Sequence, residues 1–186
     1  MPPSFHFALK LPRAITHDRL VDCQILIEKF AKETSGLGDR RGPILVQLPP
    51  SFSYRGDIVE HFLQELKSLI AGPIVLEPRH ASWFVPEVDH MLERQQVSRV
   101  AVDPAKPISV AAYPGGWRGL AYFRLHGSPR IYESIYGKET IAAQAKTVAS
   151  LAAQGGEVWT IYDNTTFGAA TQNALDLAES LDQSKS

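Results

Sequence analysis

Apolar residues fall along this chain in two rhythms. Short runs at Phe5 to Leu11, Ile44 to Leu48, Ile74 to Glu77, Arg99 to Asp103, Ala121 to Leu125 and Val158 to Tyr162 are mostly apolar and close on polar residues. Runs of that length and make-up predict strands buried on both faces. Between several of them the apolar residues recur every three or four positions, the spacing of one helix face. In Asp57 to Ile70, the residues Ile58, Phe62, Leu66 and Leu69 share such a face, with Asp57 as the expected N-cap. Ile141, Ala145, Val148 and Ala152 form a second stripe, closed by Gly155 where a helix C-terminus wants a residue that tolerates positive φ. Leu20 to Phe30 and Ala170 to Leu181 read the same way, and Pro86 to Gln95 reads as a shorter helix with Pro in its first turn.

Strands alternating with helices predict a parallel sheet of βα units. No composition shift marks a second domain, so the reading is one domain over residues 1–186 with a polar tail from Asp182 to Ser186. Six units in 186 residues is about 31 residues each, whereas a (β/α)8 barrel usually takes roughly 250. The expected fold is therefore a TIM-type (β/α) barrel that is incomplete, with six of eight units.

Composition narrows the function classes. Lys and Arg number 19 against 20 Asp and Glu, for a formal net charge of −1, which argues against a dedicated nucleic-acid binder. With 44% hydrophobic and 21% charged residues the chain has the make-up of a folded domain rather than of a disordered one. The single cysteine, Cys23, is read as mid-helix and fits a reducing compartment, so a cytoplasmic location is expected. No apolar run approaches the roughly 18 residues that span a bilayer, and the first residues lack the pattern of a signal peptide. A membrane partner is not expected.

Polar residues collect where the strands should end. Lys10, Pro12, Arg13 and His17 follow the first, and Gln47 closes the second. Glu77, Arg79, His80 and Trp83 follow the third, and Asp103 closes the fourth. Arg124 and His126 lie at the end of the fifth, with Asp163, Asn164 and Thr165 after the sixth. In barrels and open α/β sheets the active site lies at the carboxyl ends of the strands. Glu77 and Arg79 are two residues apart, so they share a face if the strand continues, and Arg124 and His126 repeat that spacing.

These stretches resemble the YecE-like family, domain of unknown function seventy-two. The resemblance rests on Phe7-Ala8-Leu9-Lys10 with Pro12-Arg13 and Ile15-Thr16-His17; on Gln47-Leu48-Pro49-Pro50-Ser51-Phe52; on Glu77-Pro78-Arg79-His80-Ala81-Ser82-Trp83; and on Arg124-Leu125-His126-Gly127 with Tyr132 and Tyr136. Asp163-Asn164-Thr165 before Gly168-Ala169 closes the series, so the motifs span residues 5 to about 178 in order. It implies a TIM-type barrel and names no reaction. Two further N-terminal strands of the family, Gly-Thr-Ser-Gly-Trp and Asn-Ser-Thr-Phe-Tyr, have no counterpart here. The expected result is an open, C-shaped parallel sheet with Phe5 to Leu11 and Val158 to Tyr162 as edges, open to self-association.

The residues at the mouth suit a small substrate bearing phosphate or carboxylate, because arginine presents a planar fork to such anions. Lys10, Arg79 and Arg124 are expected to hold the anion, Glu77 and His126 to exchange protons, and Gln47 and Asn164 to orient the substrate. Trp83, Tyr132 and Tyr136 are candidates to stack on it, with loop packing as the alternative reading. The corresponding activity is that of a hydrolase, lyase or isomerase. The alternatives are a module that binds a metabolite or a nucleic-acid end without turnover, and an inactive barrel fragment. Glu77, Asp103, His126 and Asp163 are ligand types for a divalent metal, but no His-x-x-x-His or Glu-x-x-His spacing supports that reading. No phosphate-loop, dinucleotide or serine-elbow motif occurs, so no metal and no cofactor are assigned.

Overall fold

A computed structural model of the chain describes Pro2, residues 5–18 and residues 20–183. The strands are β1 (Phe7–Lys10), β2 (Arg41–Gln47), β3 (Ile74–Glu77), β4 (Val97–Arg99), β5 (Ala101–Asp103), β6 (Gly115–Gly116), β7 (Leu120–Leu125) and β8 (Glu157–Tyr162). The helices are α1 (Arg13–Thr16), α2 (Gln24–Thr34), α3 (Gly56–Leu69), α4 (Pro86–Arg94), α5 (Lys138–Ala153) and α6 (Ala169–Gln183). One sheet has the order β1-β2-β3-β4-β6 and the other β5-β7-β8. Val100 alone separates β4 from β5, and its N–H bonds to the Leu76 carbonyl, so the segment Val97–Asp103 links both sheets. Parallel neighbours thus run β1, β2, β3, β4 with β5, β7 and β8, while β6 adds a short antiparallel pair to β4.

The array is open. Among the described residues β1 pairs only with β2 and β8 only with β7, so the six expected strands are present but no closed barrel forms. The array curves nonetheless: a Cβ on Gly42 of β2 would lie 2.7 Å from the Trp159 ring of β8 and 3.1 Å from the Phe7 carbonyl oxygen. Glycine at that position lets the indole reach across the arc.

Alternation along the strands decides which residues face which layer. Ile44, Val46, Ile74 and Leu76 turn outward into a core with Ile27 of α2, Phe62, Leu63 and Leu66 of α3 and Leu92 of α4. Ala121 and Phe123 turn outward against Leu151 of α5. The opposite faces of the strands meet in a second cluster: Ala8, Leu45, Val75, Val102, Tyr122, Trp159 and Ile161. Two residues further along each strand, that same inner face carries Lys10, Gln47, Glu77, Arg124 and Asp163. The inside of the arc is apolar below and polar at the carboxyl ends.

Several boundaries differ from the sequence reading for local reasons. Leu20 and Asp22 have positive φ (60° and 50°), which ends any helix there, so α2 begins at Gln24 and Cys23 is its N-cap residue rather than mid-helix. Arg55, not Asp57, is the N-cap of α3, and Asp57 lies in its first turn, where its charge still favours the helix dipole. Gly155 takes φ +87° just past α5, as its position predicted. Asp182 and Gln183 still belong to α6, and the rest of the polar tail lies outside the described residues.

Candidate functional site

The polar ends of the inner face join in one ionic chain. Lys10 Nζ donates to Gln47 Oε1 at 3.2 Å, and Gln47 Nε2 donates to Glu77 Oε1 at 2.9 Å. Gln47 and Glu77 are direct register partners on β2 and β3, which places the amide beside the carboxylate. Arg79 Nε donates to the same Glu77 oxygen at 3.0 Å, and Arg124 NH1 donates to Oε2 at 2.6 Å. Arg124 NH2 donates to Asp163 Oδ2 at 2.5 Å. His126 Nδ1 stands 2.6 Å from Asp163 Oδ1. Neither of those two atoms has an aligned hydrogen bond and both are buried, so they meet in a short contact without a directed bond.

Burial decides what each group does. The Glu77 side chain is 2% exposed. Burial alone would raise its pKa, but the Arg124 guanidinium, helped by Arg79 and Gln47, outweighs that and holds the carboxyl below its ordinary value. With both oxygens engaged and the charge fixed, Glu77 is a poor proton donor. Arg124 is the converse case: burial disfavours its charge, and Glu77 and Asp163 more than restore it. Both terminal nitrogens of Arg124 are occupied, so the expected grip of this residue on a substrate anion is not what its geometry offers.

A cleft of about 610 Å³ opens beside this chain, lined by Glu77, Arg79, Lys106, His126, Ile131 and Tyr132 together with Pro50, Pro78, Pro104 and Pro107. The Tyr132 ring and the His126 imidazole meet in a T-shaped pair, with centroids 5.9 Å apart. Glu77, Arg79, His126 and Tyr132 are thus gathered at one cleft, and Lys10, Gln47 and Arg124 are joined to them through hydrogen bonds.

Two candidates lie elsewhere. Trp83 is wholly buried, its indole N–H donates to the Phe52 carbonyl at 2.9 Å, and Tyr54 packs on its ring, so it fastens the loops after β2 and β3. Packing, not stacking on a substrate, is its place. Asn164 is also wholly buried: its Nδ2 donates to the Ser134 carbonyl and to Asn173 Oδ1, turning the amide into the loop before α5.

Two residues that the sequence reading leaves without a role in the anion site, Asp163 and Lys106, join it. Asp163, which by residue type alone is a metal-ligand candidate, bridges Arg124 and His126. Lys106 entered no motif, since it sits in the loop after β5 rather than at a strand end. Asp103 accepts the Tyr136 hydroxyl at 2.7 Å, and that hydroxyl accepts the Gly127 N–H at 2.8 Å, which fixes the turn after His126. Burial and the hydrogen bond to Asp103 both push the Tyr136 phenol pKa well up, so it stays protonated. Among the described residues, no group of three or more His, Cys, Asp or Glu is assembled as a metal site.

A second cleft, of about 630 Å³, lies between α4, β6 and the start of β7. Its buried charge is closed on itself: Arg99 donates to both Asp89 oxygens, at 2.8 and 3.0 Å, and to the Tyr113 carbonyl. Its lining also includes His90, Glu93 and Arg118, none of which belongs to the ionic chain at the strand ends.

The fold and the cleft define an α/β protein of parallel βα units with an ionic site at the carboxyl ends of its strands. The chain belongs to the family described as Protein of unknown function DUF72, whose model matches residues 1–186. A crystal structure of a DUF72 family protein from Thermotoga maritima is 26% identical with a TM-score of 0.82, covering 98% of this chain and 75% of that one. Two crystal structures of a DUF72 family protein from Enterococcus faecalis share the fold at 24% identity and TM-score 0.79, covering 97% and 98% of this chain and 76% and 80% of theirs. No curated protein matches the sequence. No helix among the described residues is long and apolar enough to cross a membrane.

Proposed function

We propose that this chain is a single-domain, cytoplasmic enzyme built on an opened TIM-type barrel, acting on a small phosphate- or carboxylate-bearing substrate in the cleft beside Glu77 and His126. The observation that supports it is the continuous chain from Lys10 to His126, which ends on an imidazole at the cleft. His126 is the general acid–base: it lines the cleft, and with the Asp163 carboxylate beside Nδ1 its Nε2 is the atom left to exchange the proton. Catalytic pairs are often poorly aligned before substrate is bound, so the short, undirected contact of His126 with Asp163 fits this role. Arg124 fixes Asp163 in place. Glu77 works as a fixed negative charge that orients Arg79 and Arg124, and the anion falls to Arg79 and Lys106 on the cleft wall and to Lys10 beside them.

The test is turnover of a panel of phosphorylated sugars, nucleotides and sugar acids by the wild type, by His126→Asn and by Asp163→Asn. Hydrolysis, elimination or isomerisation of at least one member is expected, with kcat about 10² to 10⁴-fold lower in His126→Asn and KM little changed. Saturable binding without turnover, or equal turnover in the variants, would overturn the catalytic assignment.

A further inference from the structure

The two sides of the cleft differ in chemistry. On the side of β1 to β3, Lys10 and Arg79 both close on the Gln47–Glu77 pair, and His17 lies within electrostatic reach of Lys10, Arg79 and Arg13. Arg13, Lys10 and Arg79 all act on the His17 ring, which burial and these cations hold below its ordinary pKa. Over the network and cleft, Lys10, Arg79, Lys106 and Arg124 face the carboxylates of Glu77 and Asp163, which leaves two positive charges in excess before Arg13 is counted. Arg124 is saturated by its two carboxylates, so the excess rests on the groups nearest solvent. Two charges match a phosphate monoester dianion better than a single carboxylate.

The other lip is apolar and rigidly set. Ile131 and Tyr132 line the cleft yet are 37% and 47% exposed. Tyr132 takes φ +69°, an uncommon conformation for a bulky residue, and persists there because the surrounding chain over-determines it. Its N–H bonds to the His126 carbonyl and its own carbonyl accepts the Thr166 N–H, tying the loop after β7 to the loop after β8. The phenol ring is thereby held at the His126 end of the cleft, where a half-exposed aromatic ring is available to another ring.

Building on the anion site proposed above, we infer that the substrate is a ring-bearing phosphate monoester, its dianion against Lys10, Arg13, Arg79 and Lys106 and its ring against Tyr132 and Ile131. His126, between the two, then faces the ester linkage.

Calorimetric titration with inorganic phosphate, phenyl phosphate and phenol separates the parts. Phenyl phosphate is expected to bind about tenfold tighter than inorganic phosphate, the range an aromatic pair supplies. Tyr132→Ala should erase that gain and leave inorganic phosphate unchanged, and Tyr132→Gly, which suits the positive φ, should do the same, while Tyr132→Phe keeps it. Arg13→Ala and Lys106→Ala should weaken both phosphate probes several-fold. In the free chain the His17 imidazole should titrate below 6.5 by NMR and move up when phosphate is added, a shift that a purely structural cluster would not show. Saturable phosphate binding with no gain from the phenyl ring would overturn the ring assignment and leave the anion site standing. Failure of both phosphate probes to bind would overturn the anion site itself.

Discussion

Arg124 lies between two carboxylates, and its side chain is 12% exposed against 2% for Glu77. Removing one member of such a buried pair strands the other, which typically costs about 3 to 5 kcal/mol. Arg124→Ala should therefore unfold in urea with a stability loss in that range while the phosphate affinity of the folded fraction changes little; a loss under about 1 kcal/mol would contradict the pairing. Glu77 adds a pH signature. Its folded pKa is depressed, so its stabilisation is fully present above the ordinary value of 4.5 and is lost as pH falls through the lower folded value. Wild-type melting temperature should drop steeply below about pH 4.5, and Glu77→Gln, destabilised at neutral pH, should show a shallower slope there. At this scale the site was legible where strand alternation governs: Lys10, Gln47, Glu77 and Arg124 project inward because they follow inward apolar residues by two. It was not legible for Trp83 and Asn164, since a polar or aromatic residue after a strand looks alike whether its polar atom meets substrate or a neighbouring carbonyl. That partner lies about 30 residues away in both cases, Phe52 for one and Ser134 for the other.

Between elements, the loop from β7 to α5 carries the tension of the site. Gly127 has φ +95°, and an added Cβ would lie 3.0 Å from the Ser134 carbonyl oxygen and 3.1 Å from that of Arg130. Gly127→Ala should cost more than about 1 kcal/mol in thermal denaturation and lower turnover by displacing His126. Asn173 of α6 is the clamp on this loop: Oδ1 accepts from the Tyr136 N–H and Asn164, and Nδ2 donates to the Tyr136 carbonyl. Asn173→Ala leaves buried groups unpaired, and a loss of about 1 to 3 kcal/mol is expected, read by chemical denaturation; a neutral result would place the clamp elsewhere. Helix and strand positions were legible because their periods repeat over many residues. Ends and caps were not, since Leu20, Asp22 and Tyr132 adopt positive φ under tertiary contacts that no local pattern announces.

For the whole molecule the consequential feature is the pair of edges, β1 and β8, that have no further strand partner among the described residues. Open strands with apolar neighbours are templates for another chain. The 186-residue chain should self-associate with rising concentration in sedimentation equilibrium, and a monomer across the full range would remove that expectation. The open array was foreseeable from the number of βα units the length accommodates, and the family from five motifs in order. The ionic chain as a connected object was not, since its links join residues up to 47 apart in sequence. The decisive measurement is a crystal structure of the chain with phenyl phosphate bound. The phosphoryl oxygens should lie about 3 Å from Arg79 and Lys106 nitrogens, with His126 Nε2 in hydrogen-bond reach of the ester oxygen. Phenyl phosphate found instead in the cleft between α4 and β6, with the surroundings of His126 unchanged, would contradict the account.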